Sequence, residues 1–487
     1  MRDALALAFM AALASSEAIQ LLERRGAQPA VIGMDIERKH VSDPHARDRL
    51  RRRASIKTVS EDLDNMVSLY VANVSLGTPP QQLSVNLDTG SSDLWTNAPN
   101  SQLCRSGEDP CAAAGVYSAN SSSSYIYLNS NFNISYADSS GAEGDYATDT
   151  FVFGGHSIPK MQFGIGYASS SPQGILGIGY PDHEAQVIFG DAQEYRNFPE
   201  TLVSLDLIQS PAYSLWLNDL DANTGSILFG GVDTDKYHGD LSTLPIQLDP
   251  GSSQPEEFFI ALTGLSLGGQ SIGGARDDAV LLDSGSSLAY LPDDLSEALY
   301  KAIDAQYDPT QGLATIDCSV ISKSQTLDFS FSGATISVPM AELAIPVQTD
   351  SPFGDSGEAQ LCLFAIEPAG QGPAVLGDPF LRSAYVVYDL GNNEISLAQT
   401  VFNATSSSVK EIGSGKGAVP GASTVTNAAT ASPGETGGRL GVPTISATAF
   451  PSTTPTHTGA AVALGVTKME MGLMGILAGA LAVNFAI

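Results

Sequence analysis

The sequence predicts an all-β protein built from two similar lobes. Three observations predict this fold: short apolar segments separated by turn residues, a composition rich in glycine and proline, and one long internal repeat. The chain has 487 residues, of which 43% are hydrophobic, 48 are glycine and 27 are proline. This length and hydrophobic content suit two or three domains that each bury a core, and the glycine and proline content suits many turns.

The internal repeat consists of an apolar segment, an acidic turn and a later apolar-glycine element. The first copy comprises residues 83–92 and 175–177, and the second comprises residues 279–287 and 375–377. The interval from the turn aspartate to the later glycine is similar in both copies (177 − 88 = 89 and 377 − 283 = 94 residues). A repeat of this length indicates two lobes rather than a solenoid of short units.

The acidic turns read Asp-Thr-Gly-Ser-Ser from Asp88 and Asp-Ser-Gly-Ser-Ser from Asp283. A single such turn is weak evidence for chemistry, because aspartate, threonine and glycine are ordinary turn residues. Two copies, each after an apolar segment and each with a matching downstream element, are not expected from turns alone. The pair therefore becomes the candidate functional site.

The charge is strongly acidic and unevenly distributed. The formal net charge is −30, yet residues 1–53 hold ten basic and seven acidic residues, which leaves 13 basic and 46 acidic residues from Ala54 onward. Such a surface repels nucleic acid and anionic lipid, and its self-repulsion falls as the pH drops. Solubility alone explains this composition, and so does a protein that works in acid.

The N-terminal 53 residues have the pattern of secretory processing. Residues 1–18 are expected to be a signal peptide, because the apolar run 4–14 ends in an Ala-x-Ala-like sequence and is too short to span a membrane. Residues 19–53 are polar and basic, and are expected to be a propeptide cleaved after Arg53. A buried helix is the alternative for the apolar run, and a nuclear address is the alternative for the basic cluster. Such a basic segment is also a candidate inhibitor of the precursor.

The C-terminal end has the pattern of a lipid-anchored surface protein. Residues 403–458 are rich in Ser, Thr, Gly, Ala and Pro, which predicts a disordered, O-glycosylated stalk after lobes at 54–230 and 231–402. Residues 459–487 combine small residues, a spacer and an apolar tail, which is typical of a GPI-attachment signal with Gly459 as the attachment site. A plain membrane tail is the alternative.

Cysteines and glycosylation sequons fit a secreted chain. Four cysteines allow three connectivities, and proximity favours Cys104–Cys111, which leaves Cys318–Cys362. No Cys-x-x-Cys or His cluster occurs, so neither a zinc site nor any other metal or cofactor is expected. Four asparagines open Asn-x-Ser/Thr sequons: Asn73, Asn120, Asn133 and Asn403.

From Tyr70 to Gln399 the chain resembles the pepsin family of aspartic proteases. The stretches that carry the resemblance are Leu76–Gln81, Asp88–Trp95, Ile134–Tyr136, Leu228–Asp233, Asp283–Ser287 and Leu376–Leu381. The basic N-terminal segment, acidic body, Ser/Thr-rich stalk and GPI-like tail are similar to the yapsin-type fungal branch. The resemblance implies a bilobal pepsin-like fold with the active cleft between the lobes, and an endopeptidase activity on proteins or peptides.

The resemblance makes Asp88 and Asp283 the catalytic pair. Two carboxyls held close together share a proton and titrate as a unit in acid, as the pepsin pair does. One carboxylate then takes a proton from water while the other carboxyl stabilises the oxyanion.

The loop neighbours of the pair are expected to support it. Gly90 and Gly285 permit tight turns and close approach of backbone N–H groups. The resemblance implies that Thr89 and Ser284 join the two loops through hydroxyl hydrogen bonds. It also implies that the hydroxyls of Ser91 and Ser286 bond the outer carboxyl oxygens.

Three residues are expected at the flap, a β-hairpin that closes over substrate. The resemblance makes Tyr136 the flap tyrosine and Trp95 its hydrogen-bonding partner; half-buried strand aromatics are the alternative. Asp138 would then lie at the flap tip, where it is a candidate for binding a substrate Lys or Arg, although a solvated turn aspartate is equally expected.

Two other classes of function remain to be compared with this one. A catalytically inactive member that acts as a binding or cell-wall protein is the main alternative, but both acidic motifs are intact. A serine hydrolase is disfavoured because no Gly-x-Ser-x-Gly motif lies at a strand-to-helix turn. The expectation is a monomeric enzyme of the secretory pathway that reaches the plasma membrane, with its GPI anchor, and the cell wall.

Overall fold

The computed structural model describes residues 31–41, 67–107, 109–136, 140–190, 192–222, 224–248, 252–346 and 361–431. The predicted signal peptide, Arg53, Asp138, Gly459 and the predicted GPI signal all lie outside these residues. Among the residues described, there is no helix with the length and apolar character needed to span a membrane.

The described residues form mainly β-strands, as predicted. Strands β1 to β12 are Ile32–Val41, Val67–Leu76, Gln81–Asp88, Leu94–Asn97, Ile126–Ser135, Gly141–Phe153, His156–Ser169, Gly174–Gly177, Ala212–Trp216, Thr224–Phe229, Gly231–Asp233 and Tyr237–Pro245. Strands β13 to β29 are Phe259–Leu262, Gly264–Leu267, Gln270–Ile272, Asp278–Leu282, Ala289–Leu291, Gln306–Asp308, Leu313–Asp317, Thr326–Phe331, Ala334–Pro339, Ala344–Pro346, Leu361–Phe364, Ile366–Pro368, Ala374–Leu376, Ala384–Asp389, Glu394–Thr400, Val409–Glu411 and Ala422–Thr424.

The helices are short and few in the described part of the chain. Helices α1 to α5 are Ala185–Ile188, Phe198–Ser204, Asp293–Ile303, Met340–Leu343 and Asp378–Leu381, and the 3₁₀ turns are Ala119–Ser121, Pro181–His183 and Cys318–Ser322. In α3 the first turn carries Asp293 and Asp294 and the last turn carries Lys301, which suits the helix dipole. The helix ends at Asp304, which adopts the left-handed conformation.

One large sheet joins the two halves of the chain. Its order is β29-β12-β27-β26-β9-β10-β1-β2-β3-β8-β4-β7-β6-β5. The first strand, β1, therefore lies in the middle of the sheet, between strands of the first half and the group β10, β9, β26, β27, β12 and β29. Three smaller sheets, β13-β16-β25-β17-β24, β15-β14-β20-β21 and β18-β19-β23-β22, lie within residues 259–376. This arrangement agrees with the predicted bilobal all-β fold.

The sequence repeat appears in the structure as a repeated three-strand unit. In the first half, β3 runs parallel to β8, and β8 pairs antiparallel with β4. In the second half, β16 runs parallel to β25, and β25 pairs antiparallel with β17. The central strands of both units are almost wholly buried, which explains their continuous apolar sequence.

Part of the predicted propeptide is a strand of the large sheet. Strand β1 pairs with β10 on one side and with β2 on the other. Its alternating apolar residues include Ile32 and Ile36, which are buried in the main core. In this chain the folded sheet therefore begins before residue 54, the expected start of the first lobe.

The chain stays packed on the fold beyond residue 403, where the stalk was expected to begin. Strand β28 pairs with β11, and β29 pairs in parallel with β12. The side chains of Ile412, Val419 and Ala431 are buried against the preceding fold. The apolar residues spaced through this Ser- and Gly-rich segment bury enough surface to fix it in place, so the packed chain continues through Ala431.

Candidate active site

The first acidic loop is held at the end of a buried strand. Strand β3 ends at Asp88, which lies opposite Gly177 of β8. The Gly90 backbone N–H donates to Asp88 Oδ1 at 3.0 Å, and Ser91 Oγ donates to Asp88 Oδ2 at 2.5 Å. The Asp88 side chain is fully buried. Hydrogen bonds to both oxygens fix the orientation of the carboxyl group.

The second acidic loop repeats this geometry atom for atom. Asp283 directly follows β16 and is also fully buried. The Gly285 backbone N–H donates to Asp283 Oδ1 at 2.8 Å, and Ser286 Oγ donates to Asp283 Oδ2 at 2.7 Å. The two loops therefore present their carboxyl groups through equivalent hydrogen bonds.

Four hydrogen bonds cross from one loop to the other. Thr89 Oγ1 accepts from the Ser284 backbone N–H at 3.0 Å and donates to the Leu282 carbonyl at 2.9 Å. Ser284 Oγ accepts from the Thr89 backbone N–H at 3.2 Å and donates to the Leu87 carbonyl at 3.0 Å. Each hydroxyl thus bonds the backbone on both sides of the opposite loop. This cross-brace brings the two acidic loops, which are 195 residues apart in sequence, into one site.

The glycines of the downstream elements are required by close packing against the acidic loops. A Cβ on Gly177 would lie 2.6 Å from the backbone nitrogens of Ser92 and Asp93. A Cβ on Gly377 would lie 2.2 Å from the Ser286 carbonyl oxygen and 2.3 Å from that of Leu288. Both distances are shorter than any real contact, so only glycine fits. This explains why each copy of the repeat ends in an apolar-Gly element.

The predicted flap contact is present. Tyr136 ends the β5 side of a hairpin whose other arm is β6, and its backbone N–H donates to the Ser140 carbonyl at 2.8 Å. Trp95 Nε1 donates to the Tyr136 hydroxyl at 2.9 Å, and both side chains are buried. The indole therefore fixes the tyrosine next to the turn of this hairpin.

A buried acidic network behind Trp95 was missed by sequence reasoning. The Asp93 carboxylate accepts from the hydroxyls of Tyr146 at 2.9 Å and Tyr195 at 3.0 Å, and from the Ala185 backbone N–H at 2.7 Å. The adjacent Glu184 is fully buried and accepts from the Tyr195 backbone N–H at 2.8 Å. Burial, reinforced by the nearby Asp93, raises the pKa of Glu184 to about 10. Burial likewise raises the pKa of Asp93.

The aromatic residues beneath the loops connect them to both halves of the sheet. The Tyr213 hydroxyl donates to the Ile178 carbonyl at 3.0 Å, one residue past Gly177. Tyr213 stacks on Tyr388 with ring centroids 5.0 Å apart, and Phe258 packs on Tyr388 at 4.8 Å. Burial raises the pKa of Tyr388 well above its ordinary value, so this ring stays neutral beneath the acidic loops.

The four cysteines are paired, and the four sequon asparagines are exposed. Disulfides join Cys104 to Cys111 and Cys318 to Cys362, the pairing that sequence proximity favoured. All four sequon asparagines have exposed side chains: Asn73, Asn120, Asn133 and Asn403. Within the described ranges, no cluster of three His, Cys, Asp or Glu side chains is arranged to hold a metal ion.

Comparison with known proteins agrees with this geometry. Residues 69–400 match the family model for eukaryotic aspartyl protease. A probable aspartic-type endopeptidase opsB of Aspergillus oryzae is 49% identical over 454 residues, which cover 92% of each chain. Secreted aspartic protease 3 of Candida albicans is 40% identical over 377 residues, which cover 76% of this chain and 88% of that protein.

A solved structure supports the fold. The crystal structure of the aspartic proteinase from Irpex lacteus aligns with a TM-score of 0.57 and 22% identity, covering 77% of this chain and all of that one. The chain belongs to the eukaryotic aspartyl protease family, as the resemblance implied. Its class of activity is that of an aspartic-type endopeptidase.

Proposed function

We propose that this chain is the precursor of a cell-surface endopeptidase that hydrolyses peptide bonds in acid through Asp88 and Asp283. The observation that carries the proposal is the cross-brace, because it holds two equivalently bonded carboxyl groups in one buried site. An inactive binding protein has no need for two intact loops with matched hydrogen bonds.

The reaction follows from the two carboxyl groups and one water. The ionised carboxyl takes a proton from the water, whose oxygen attacks the substrate carbonyl carbon. The protonated carboxyl donates its hydrogen to the developing oxyanion. The tetrahedral intermediate then collapses with cleavage of the C–N bond. The carboxyl that took the proton from water gives a proton to the leaving nitrogen, and the other carboxyl recovers its proton from the hydroxyl of the intermediate. The Gly90 and Gly285 N–H groups keep each carboxyl oriented throughout these steps.

Activity in acid is supported by the charge of the chain and by its buried acids. The formal net charge of −30 falls in magnitude as carboxylates are protonated, which reduces self-repulsion. The pKa of Glu184 is raised to about 10, so this side chain is neutral in acid and adds no charge to the buried core.

Preference for basic residues is proposed from Asp138 at the predicted flap tip. A carboxylate there would pair with a substrate Lys or Arg side chain. Asp138→Ala should then lower kcat/KM for substrates with a basic residue at the cleavage site and leave uncharged substrates unaffected. An unchanged Lys/Arg preference in this variant would show that Asp138 does not bind the basic side chain of the substrate.

The secretory route is proposed from the sequence patterns of the two terminal segments and from the disulfides. The two disulfides suit an oxidising compartment. Maturation after Arg53 would cut the chain between β1 and β2, so the propeptide strand must dissociate or stay bound without a covalent link. Release of the protein from cells by a phosphatidylinositol-specific phospholipase, with loss of release in Gly459→Leu, would test the anchor.

The function itself is tested with Asp88→Asn. This variant should retain the fold while losing pepstatin-sensitive peptide hydrolysis at acidic pH. Full activity in Asp88→Asn would refute the catalytic role of Asp88. A correctly folded wild-type protein that cleaves no peptide at any acidic pH would favour the inactive binding protein instead.

A further inference from the structure

A buried histidine lies between the two halves of the site. His183 ends the 3₁₀ turn Pro181–His183, which follows Gly177 in the first half of the chain. Its Nδ1 lies 3.7 Å from Oε1 of Glu257, which directly precedes β13 in the second half. Their side chains are 9% and 3% exposed, so the contact is almost completely shielded from solvent. Ionisable side chains that serve only solubility lie at the surface, so this buried pair must have another role.

Each partner is fixed to one of the acidic loops by a short chain of hydrogen bonds. On the His183 side, the Ile178 backbone N–H donates to the Asp88 carbonyl at 3.0 Å and the Gly179 N–H donates to the Ser91 carbonyl at 2.8 Å. On the Glu257 side, the Leu282 backbone N–H donates to the Phe258 carbonyl at 3.2 Å, one residue before Asp283.

A second contact joins the same two segments. The rings of Tyr180 and Phe258 pack with centroids 5.2 Å apart, three residues before His183 and one residue after Glu257. The His183–Glu257 contact therefore lies at an established junction between the two segments.

We propose that His183 is a positioning residue of the catalytic pair: in acid it joins the Asp88 side to the Asp283 side through Glu257 and places a positive charge beside Asp88. The inference rests on the proposed function, since it concerns the carboxyl groups that act in it. Three acidic side chains act on the imidazole: Glu257 contacts it from the other half, Asp182 lies within its own turn, and Asp88 at the end of β3 acts through its charge. The neighbouring Glu184 is directed instead into the network with Tyr195.

The charge on His183 depends on pH in a definite way. Burial lowers the pKa of His183 to about 4, while Asp88 and Asp182 act in the opposite direction. The imidazole is therefore neutral above about pH 4 and charged below it. A positive charge favours the ionised form of a neighbouring carboxyl group. His183 should consequently extend activity to lower pH, where the catalytic base would otherwise become protonated, and should have little effect at higher pH.

His183→Asn tests this inference, because the asparagine amide retains a donor near the Nδ1 position and cannot become charged. We expect the acid limb of the pH profile of kcat/KM, measured from about pH 2 to about pH 7, to move upward by roughly half a pH unit or more while the alkaline limb stays in place. His156→Asn is the matched control, because His156 lies in a hairpin in register with Phe153 and should shift neither limb.

An unchanged acid limb, or an equal shift of both limbs, would overturn the inference. If His183→Asn does not fold, the reciprocal measurement replaces it: the imidazole of His183 is titrated by NMR in the wild type and in Asp88→Asn. Loss of the Asp88 charge should lower the pKa of His183, and an unchanged value would overturn the inference. Activity retained in Asp88→Asn would refute the proposed function itself, so the two failures are distinguishable.

Discussion

Removal of one hydroxyl from the cross-brace should weaken both the fold and the catalysis. Ser284 is fully buried, and its Oγ bonds the Thr89 N–H at 3.2 Å and the Leu87 carbonyl at 3.0 Å. Ser284→Ala leaves both backbone groups without a partner in a site that water does not reach. At about 1–3 kcal/mol for each of the two unsatisfied groups, the expected loss is roughly 2–6 kcal/mol in the free energy of unfolding.

The loss should be measured as thermal stability and as activity. At about 2 °C per kcal/mol for a chain of this size, the unfolding midpoint should fall by on the order of 4–12 °C. The value of kcat/KM should fall by about tenfold to a hundredfold, because a displaced loop misplaces a carboxyl group. Ser284→Thr keeps the hydroxyl, so it should retain wild-type activity.

Ser210→Ala provides the matched control. Ser210 is also buried, but its hydroxyl has no hydrogen-bond partner among the described residues. Its removal should therefore change stability by less than about 0.5 kcal/mol. Equal effects of Ser284→Ala and Ser210→Ala, or a failure of Ser284→Thr to restore activity, would refute the view that these hydrogen bonds hold the site together.

Three further changes test other parts of the structure. Gly377→Ala would place a methyl group 2.2 Å from the Ser286 carbonyl oxygen and should abolish folding or activity. In the control Gly264→Ala, the nearest neighbour of the new methyl group is 3.9 Å away, so kcat should stay unchanged. A fully active Gly377→Ala would contradict the packing argument. Glu184→Gln should not change stability near pH 4 but should stabilise the protein by on the order of 3 kcal/mol at pH 7. The stability that the raised pKa of Glu184 provides is fully present below about pH 4.5 and is lost as the pH rises toward 10. Urea unfolding at both pH values should reveal this difference, and an equal effect of the substitution at both would exclude it. A chain that ends at residue 402 should lose about 4–6 kcal/mol relative to one that ends at residue 431, since Ile412 and Val419 are no longer buried, and identical melting curves would show that the segment adds nothing.

The two acidic loops were predictable because their signal is local and occurs twice. The residues around Asp88 and Asp283 combine a buried strand, a glycine turn and two hydroxyls within a few positions. The structure adds the reason for the distant glycine in each copy, since the chain passes so close to the loop that a side chain does not fit there. The Trp95–Tyr136 hydrogen bond followed from the family resemblance and not from spacing.

The parts that sequence reasoning missed depend on contacts between distant residues or on weak patterns. Nothing near Asp93 in the sequence indicates that Tyr195 will donate to it, because that contact depends on the folded path of the chain. The His183–Glu257 contact joins the two halves and has no periodic signal.

The start and the end of the packed chain could have been predicted from individual apolar residues, although the average composition of each segment hid them. Ile32 and Ile36 lie on one face of a strand within a basic segment, and Ile412 and Val419 are apolar residues within a Ser- and Gly-rich one. Average composition describes each segment as a whole, whereas a few well-placed apolar side chains decide whether it packs. The alternation of Ile32, Met34 and Ile36 was the available sign of strand β1.

The most direct test of the account compares Asp88→Asn, Asp283→Asn and the double variant, each processed in the same way, by their kcat/KM for one peptide at acidic pH. If both carboxyl groups act on a single water, either substitution alone removes nearly all the activity, and the double variant loses little more than each single one. Losses that multiply in the double variant, or substantial activity left in either single variant, would mean that the two acids do not work as a unit.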